Sequence, residues 1–126
     1  MHRTLIPRTL LPWAIRLACL VPILAGAGGA ILGPGFLGEA GGPALASHLR
    51  YLSGLLLGLG LACFWCAGDL ARRGGIFTTL CALVVLGGLA RAAGLLVEGA
   101  PWPHRLALAM ELGVVPGLWL WWRRWP

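Results

Sequence analysis

A chain of 126 residues that is 59% hydrophobic and 11% charged, with mean hydropathy +0.84, has too little polar surface to cover a water-soluble globule of its size. Its net charge of +6 comes from ten arginines, no lysine and four acids. In a soluble protein that balance points to nucleic acid, but these arginines flank apolar runs and form no basic face, which removes nucleic acid as a partner.

Four stretches approach the roughly 20 apolar residues that a helix needs to cross the hydrocarbon core: 17–38, 48–68, 75–97 and 106–122. The predicted fold is therefore an all-α integral membrane protein, a single transmembrane domain over 1–126 with four helices in an up-down bundle. Arg3, Arg8 and Arg16 precede the first span, Arg72 and Arg73 lie between the second and third, and Arg123 and Arg124 follow the fourth. By the positive-inside rule both termini and the 2–3 connection are cytoplasmic.

The first span contains Pro22 with Gly26, Gly28, Gly29 and Gly33, which predicts a kink or a loosely wound outer half. Its basic start and the small residues of "LAGAGGA" also fit a signal peptide, but the apolar run continues to Leu37, long enough to span. The stretch 33–46, "GPGFLGEAGGPALA", is turn chemistry and predicts an outside loop. In span two, Gly54, Gly58, Ala62 and Cys66 recur every fourth residue on one face, a seam for a neighbouring helix of the bundle or for a second copy of the chain.

"CFWC", Cys63 to Cys66, has the C-x-x-C spacing of thiol redox motifs. It falls near the cytoplasmic end of a span, in a reducing compartment, and with Cys19 and Cys81 reads as small, inert, buried cysteine. Trp119, Trp121, Trp122 and Trp125 crowd the C-terminal end beside two arginines, with Trp13 at the start of span one and Trp102 in the opposite loop. They are expected to be interfacial anchors.

The charges inside the spans carry the functional reading. With a rise of about 1.5 Å per residue, Arg91 lies about 9 Å below the outer end of span three and Glu111 about 7.5 Å below that of span four. Arg50 opens span two from the same side. A lone charge at a helix centre costs about 3 kcal/mol, so Arg91 and Glu111 are expected to face inward and pair, with Arg50 as second donor. His48, Tyr51, Ser53, Glu98, His104 and Arg105 belong to the same membrane face.

The expected ligand-binding set is thus Arg50, Arg91, Glu111, His48, Tyr51 and His104, and Glu111 is the best candidate for any proton transfer. Two arginines against one acid would leave positive charge for an anionic headgroup or a polarised carbonyl. A purely structural polar clasp is the plainest alternative. A metal centre from His48, His104, Glu98 and Glu111 has no ligand-spacing motif behind it, so no metal and no cofactor are expected.

In "SHLRYLSGLLLGLGL" and "LARAAGLLVEGAP" the chain resembles an uncharacterised bacterial four-helix membrane family, the domain of unknown function 4345, in the neighbourhood of small DoxX-like proteins. Arg50 with Gly54 and Gly60, Arg91 followed by Gly99 and Pro101, and Glu111 carry the resemblance, which covers most of the chain. The family pattern has an asparagine three residues before the span-two arginine; this chain has Ser47 and lacks that amide. The resemblance implies a compact four-helix fold in the bacterial inner membrane and no established activity.

The functional readings are, first, a bundle whose outer-leaflet Arg/Glu pocket binds a small lipophilic or anionic-headed ligand. The second is an accessory or assembly subunit docked on a larger membrane complex; a homodimer is a further possible partner. The third is a small dimeric proton-coupled exporter, disfavoured because small multidrug exporters carry their acid in the first span. Whether the protein is an enzyme stays open on these residues.

Overall fold

The structure is a computed structural model that describes residues 8–33, 42–99 and 102–124, and among these it is all-helical. A short 3-10 turn, Arg8–Leu10, leads into α1 (Leu11–Leu32), followed by α2 (Pro43–Ala67) and α3 (Leu70–Glu98). Then come α4 (Trp102–Ala109), a π-helical turn (Met110–Val114) and α5 (Val115–Arg124), which run on as one bulged rod.

Helices α1, α2 and α3 are each long and apolar enough to cross a membrane, yet only 22%, 17% and 11% of their most apolar windows is buried. Leu17, Leu24 and Ile31, seven residues apart on α1, are 66–71% exposed, whereas Leu11, Ile15 and Cys19 on the other face are buried. Apolar side chains on the outside of an apolar helix need lipid as their solvent. The protein is a multi-pass membrane protein.

The helix starts lie upstream of those predicted, for local reasons. Pro12 stands at the beginning of α1 and Pro43 at the beginning of α2, where a missing N–H costs nothing. The chain from Pro43 to Ala46 is therefore helix, not loop; the rest of the predicted outside loop, residues 34–41, lies outside the described residues. Asp69 caps α3, its Oδ1 accepting from the Arg72 amide at 3.3 Å. The 2–3 connection thereby shrinks to Gly68 and Asp69, and Arg72 and Arg73 become helical. Trp102 likewise begins α4 and is not a loop residue.

Pro22 does not interrupt α1, which is α-helical to Leu32, and the glycines predicted to loosen it are what seats α2 against it. A Cβ at Gly26 would lie 2.5 Å from the Leu57 nitrogen and 2.7 Å from the Ser53 carbonyl oxygen. A Cβ at Gly29 would collide with the Ser53 hydroxyl, and one at Gly60 would stand 3.1 Å from the Ile23 nitrogen. Pairs 33/50, 29/53, 26/57 and 23/60 define an antiparallel hairpin with one continuous register.

Of the predicted seam on α2, Cys66 is fully buried in the bundle core, but the two glycines are not packed against a neighbour among the described residues. Gly54 and Gly58 have open space where a Cβ would be, while Ser53 and Gly60, on a different face, meet α1. Four-residue spacing shows that small residues share a face; it does not show which face the neighbour takes.

The core lies toward the end of the bundle where α1 and α3 begin and α2 and α5 end. There Leu11, Ile15, Ala67 and Phe77 pack with Cys19, Cys63, Cys66 and Cys81. All four cysteines are free and buried, and Cys19 of α1 and Cys81 of α3 join the pair from α2 in one cluster. Trp119 and Trp122 turn inward rather than anchoring at the surface. The Trp119 indole N–H donates to Thr78 Oγ1 at 3.1 Å, and Trp122 stands edge-on to Phe77 at 5.8 Å in the space above Gly74. Trp125 and Arg3 lie outside the described residues.

Candidate functional site

Pro116 shapes the local backbone from which the site is built. It has no N–H for the carbonyl of Leu112, and in a regular α-helix its ring would strike that carbonyl. The chain widens ahead of it into the π-helical turn Met110–Val114, closed by the Val115 N–H on the Met110 carbonyl. Glu111 stands in this turn. Opposite it on α3 is Gly88, buried, where a Cβ would come within 2.9 Å of both Glu111 Cβ and Leu112 Cδ2. A glycine facing a widened turn is how the carboxylate-bearing helix approaches α3.

Arg91, one turn along α3 from Gly88, grips that carboxylate. Its Nε donates to Oε1 and Oε2, each at 3.1 Å, and Nη2 lies 3.0 Å from Oε1. Its Nη1 is 2.9 Å from His104 Nδ1 on α4. A guanidinium can only donate, so Nδ1 accepts and the imidazole proton sits on Nε2. The side chains of Arg91 and Glu111 are 33% and 19% exposed. The pair is therefore partly shielded, and among the described residues one N–H on each terminal nitrogen of Arg91 has no acceptor.

The three groups make a neutral unit: one cation, one anion and an imidazole accepting a hydrogen bond. Arg91 on α3 is thus brought together with His104 and Glu111 on the rod from 102 to 124, but the rest of the expected set is not. Arg50 donates through Nη1 to the Ala30 and Ile31 carbonyls at 3.0 and 2.6 Å, neutralising the C-terminal end of α1. Its guanidinium lies over Gly33, whose φ of 66° and missing Cβ leave room for it. Among the described residues no hydrogen bond or ion pair joins Arg50 to Glu111.

The expected surplus of positive charge at the pair is therefore absent, because orphan carbonyls at a helix end attract the second arginine. His48 and Tyr51 are exposed on the first turns of α2 and, among the described residues, bond to none of the three. Ser53 is buried against α1, and Arg105 lies over the Trp102 ring at 6.0 Å. The side chain of Glu98 is outside the described residues. Among those residues no three His, Cys, Asp or Glu side chains come together closely enough to hold a metal ion.

Sequence reasoning missed Gly88 and the π turn. Pro116 inside an apolar span was the available signal for the turn; Gly88 had none that set it apart from its neighbours. No curated protein and no solved structure matches the chain. The family model described as a domain of unknown function (DUF4345) matches residues 10–122, almost the whole sequence, and the chain belongs to that family.

Proposed function

We propose that this protein is a four-span bundle of the bacterial inner membrane whose Arg91–Glu111–His104 unit binds the polar end of a small lipophilic molecule. The rod from 102 to 124 supplies the fourth crossing: its 23 residues reach about 34 Å. The arginines at one end put both termini in the cytoplasm and the Arg91 unit toward the outer leaflet. The observation that carries the reading is the partly exposed Arg91, held by Glu111 and His104 and, among the described residues, with two N–H groups to spare.

Because the unit is neutral, a hydroxyl or carbonyl end suits it better than a carboxylate. Arg50, His48 and Tyr51 would contribute to binding only at the rim. Extraction of purified wild type, Glu111→Gln and Arg91→Gln, followed by mass spectrometry of the extracted small molecules, tests the reading. A compound retained by the wild type and lost from both folded variants supports it. Equal retention removes the pair from the site.

A second reading is an accessory subunit or homodimer, favoured by the open face of Gly54 and Gly58. In mild detergent, a stoichiometric companion lost from Gly58→Leu supports it, and a lone monomer counts against it.

A further inference from the structure

At the opposite end of the bundle, two guanidinium groups from different helices close on the α2–α3 turn. A Cβ at Gly68 would lie 3.4 Å from Arg16 Nη2 and 3.5 Å from Arg73 Nη1, so those nitrogens are at most about 7 Å apart. Arg73 is partly compensated: its Nη1 donates to the Trp65 carbonyl at 2.7 Å, and its guanidinium lies 3.8 Å from the Trp65 ring centroid. Arg16 is not. Among the described residues it makes no hydrogen bond and no ion pair, and its buried Nε has no partner.

Besides Gly68, the Arg16 guanidinium faces the rings of Trp13 and Phe64, 5.2 and 5.3 Å from its carbon. These rings cover one side of the cation, and its Nε is shielded from water with no acceptor among the described residues. The chain holds four acids, Glu39, Asp69, Glu98 and Glu111, and only Asp69 belongs to this turn. Its carboxylate caps α3, and it forms no ion pair with either arginine among the described residues. Two cations this close, beside a low-dielectric interior, repel by an amount that an anion between them would remove.

We propose that a phosphate group binds beside Gly68, bridging Arg16 and Arg73. Two charge-assisted N–H···O bonds of about 2.8 Å, plus the width of a phosphate, span the gap. Gly68 has ordinary helical backbone angles, so its missing side chain serves the space between the nitrogens and not a strained turn. Trp13 and Trp65, both largely exposed, flank the site as amphipathic rings do at headgroup level. The phosphate belongs to a lipid headgroup or to a free anion.

The test is thermal unfolding of the full chain in mild detergent, titrated with short-chain phosphatidylglycerol, diacylglycerol of the same chain length, or inorganic phosphate. Phosphatidylglycerol is expected to stabilise the wild type and Arg72→Gln alike, with an apparent affinity at least about tenfold weaker for Arg16→Gln. Gly68→Leu, which keeps every charge but fills the space, is expected to match Arg16→Gln and carries the test should that variant not fold. Stabilisation by the lipid alone assigns a headgroup; equal stabilisation by inorganic phosphate assigns a free anion. Wild-type affinity in Gly68→Leu, stabilisation by diacylglycerol equal to that by phosphatidylglycerol, or no response of the wild type to either phosphate source overturns the proposal.

Discussion

The two hairpins of this bundle are held together in opposite ways. Between α1 and α2 the approach is backbone to backbone: Gly26 faces the Leu57 nitrogen and Ser53 carbonyl directly, and Gly60 faces the backbone of Ile23. Between α3 and the rod that ends in α5, side chains make the contact. Trp122 fills the space over Gly74, Trp119 donates to Thr78, and Arg91 grips Glu111. In lipid no hydrophobic force drives helices together, so van der Waals contact and polar bonds must do it. The first hairpin uses the former along most of its length and adds the Arg50 bonds to the Ala30 and Ile31 carbonyls only at its end. The second spends polar groups on association and thereby carries the chemistry.

The sharpest break in this contrast is Gly26→Ala. The new methyl has backbone on two sides, and backbone cannot rotate away as a side chain can. The helices must part, at a cost of about 3 kcal/mol or more. Thermal unfolding in detergent should show it as the largest loss of any single methyl in the chain. Gly54→Ala, whose methyl points into open space, should be neutral or slightly stabilising through helix propensity. Similar behaviour of the two variants would mean that α1 and α2 do not meet along this register.

Next in size is Glu111→Gln. It leaves Arg91 partly buried with a neutral acceptor in place of its counter-charge, a loss of about 1–3 kcal/mol after allowing for its one-third exposure. In a double-mutant cycle, Arg91→Gln should add little once Glu111 is gone. Strict additivity would show the pair to be a contact without energetic coupling.

The difference between the hairpins also explains what could be read from the sequence. The membrane class, the α1–α3 crossings and the Arg91–Glu111 pair follow from apolar length and from the cost of an unpaired charge in lipid, and neither depends on fine register. The α1–α2 seam depends on which of several glycine faces is used. Gly54/Gly58 and Gly26/Gly29 look alike as text, and only the neighbour's position separates them. Arg50 differs for a related reason: the orphan carbonyls at the end of α1 compete with acidic side chains for its guanidinium, and charge pattern alone does not contain them.

A smaller effect is expected from Thr78→Val, which keeps the shape but removes the acceptor of the Trp119 indole. A buried N–H left without a partner costs about 1 kcal/mol or somewhat more. Because the same wild-type indole also packs by area, Trp119→Phe in the Thr78→Val background should cost less than in the wild type. Equal costs in both backgrounds would make the bond incidental to the packing.

A change that should barely move stability is the most informative about the site. Pro116→Ala restores an N–H that can reach the Leu112 carbonyl and removes the ring that obstructs it, so the π-helical turn can close to a regular helix. The gained hydrogen bond and helix propensity offset the lost Arg91–Glu111 geometry, leaving net stability within about 1 kcal/mol of the wild type. Closing the turn removes one residue from it and swings Glu111 about 100° around the rod relative to α5. With Trp119 and Trp122 still anchoring α5 against α3, the carboxylate must leave Arg91. The coupling between positions 91 and 111, measured by the same double-mutant cycle, should therefore fall toward zero in the Pro116→Ala background while the protein remains folded. Coupling that survives intact would mean that the pair forms without the widened turn, and that Gly88 alone lets the two helices meet.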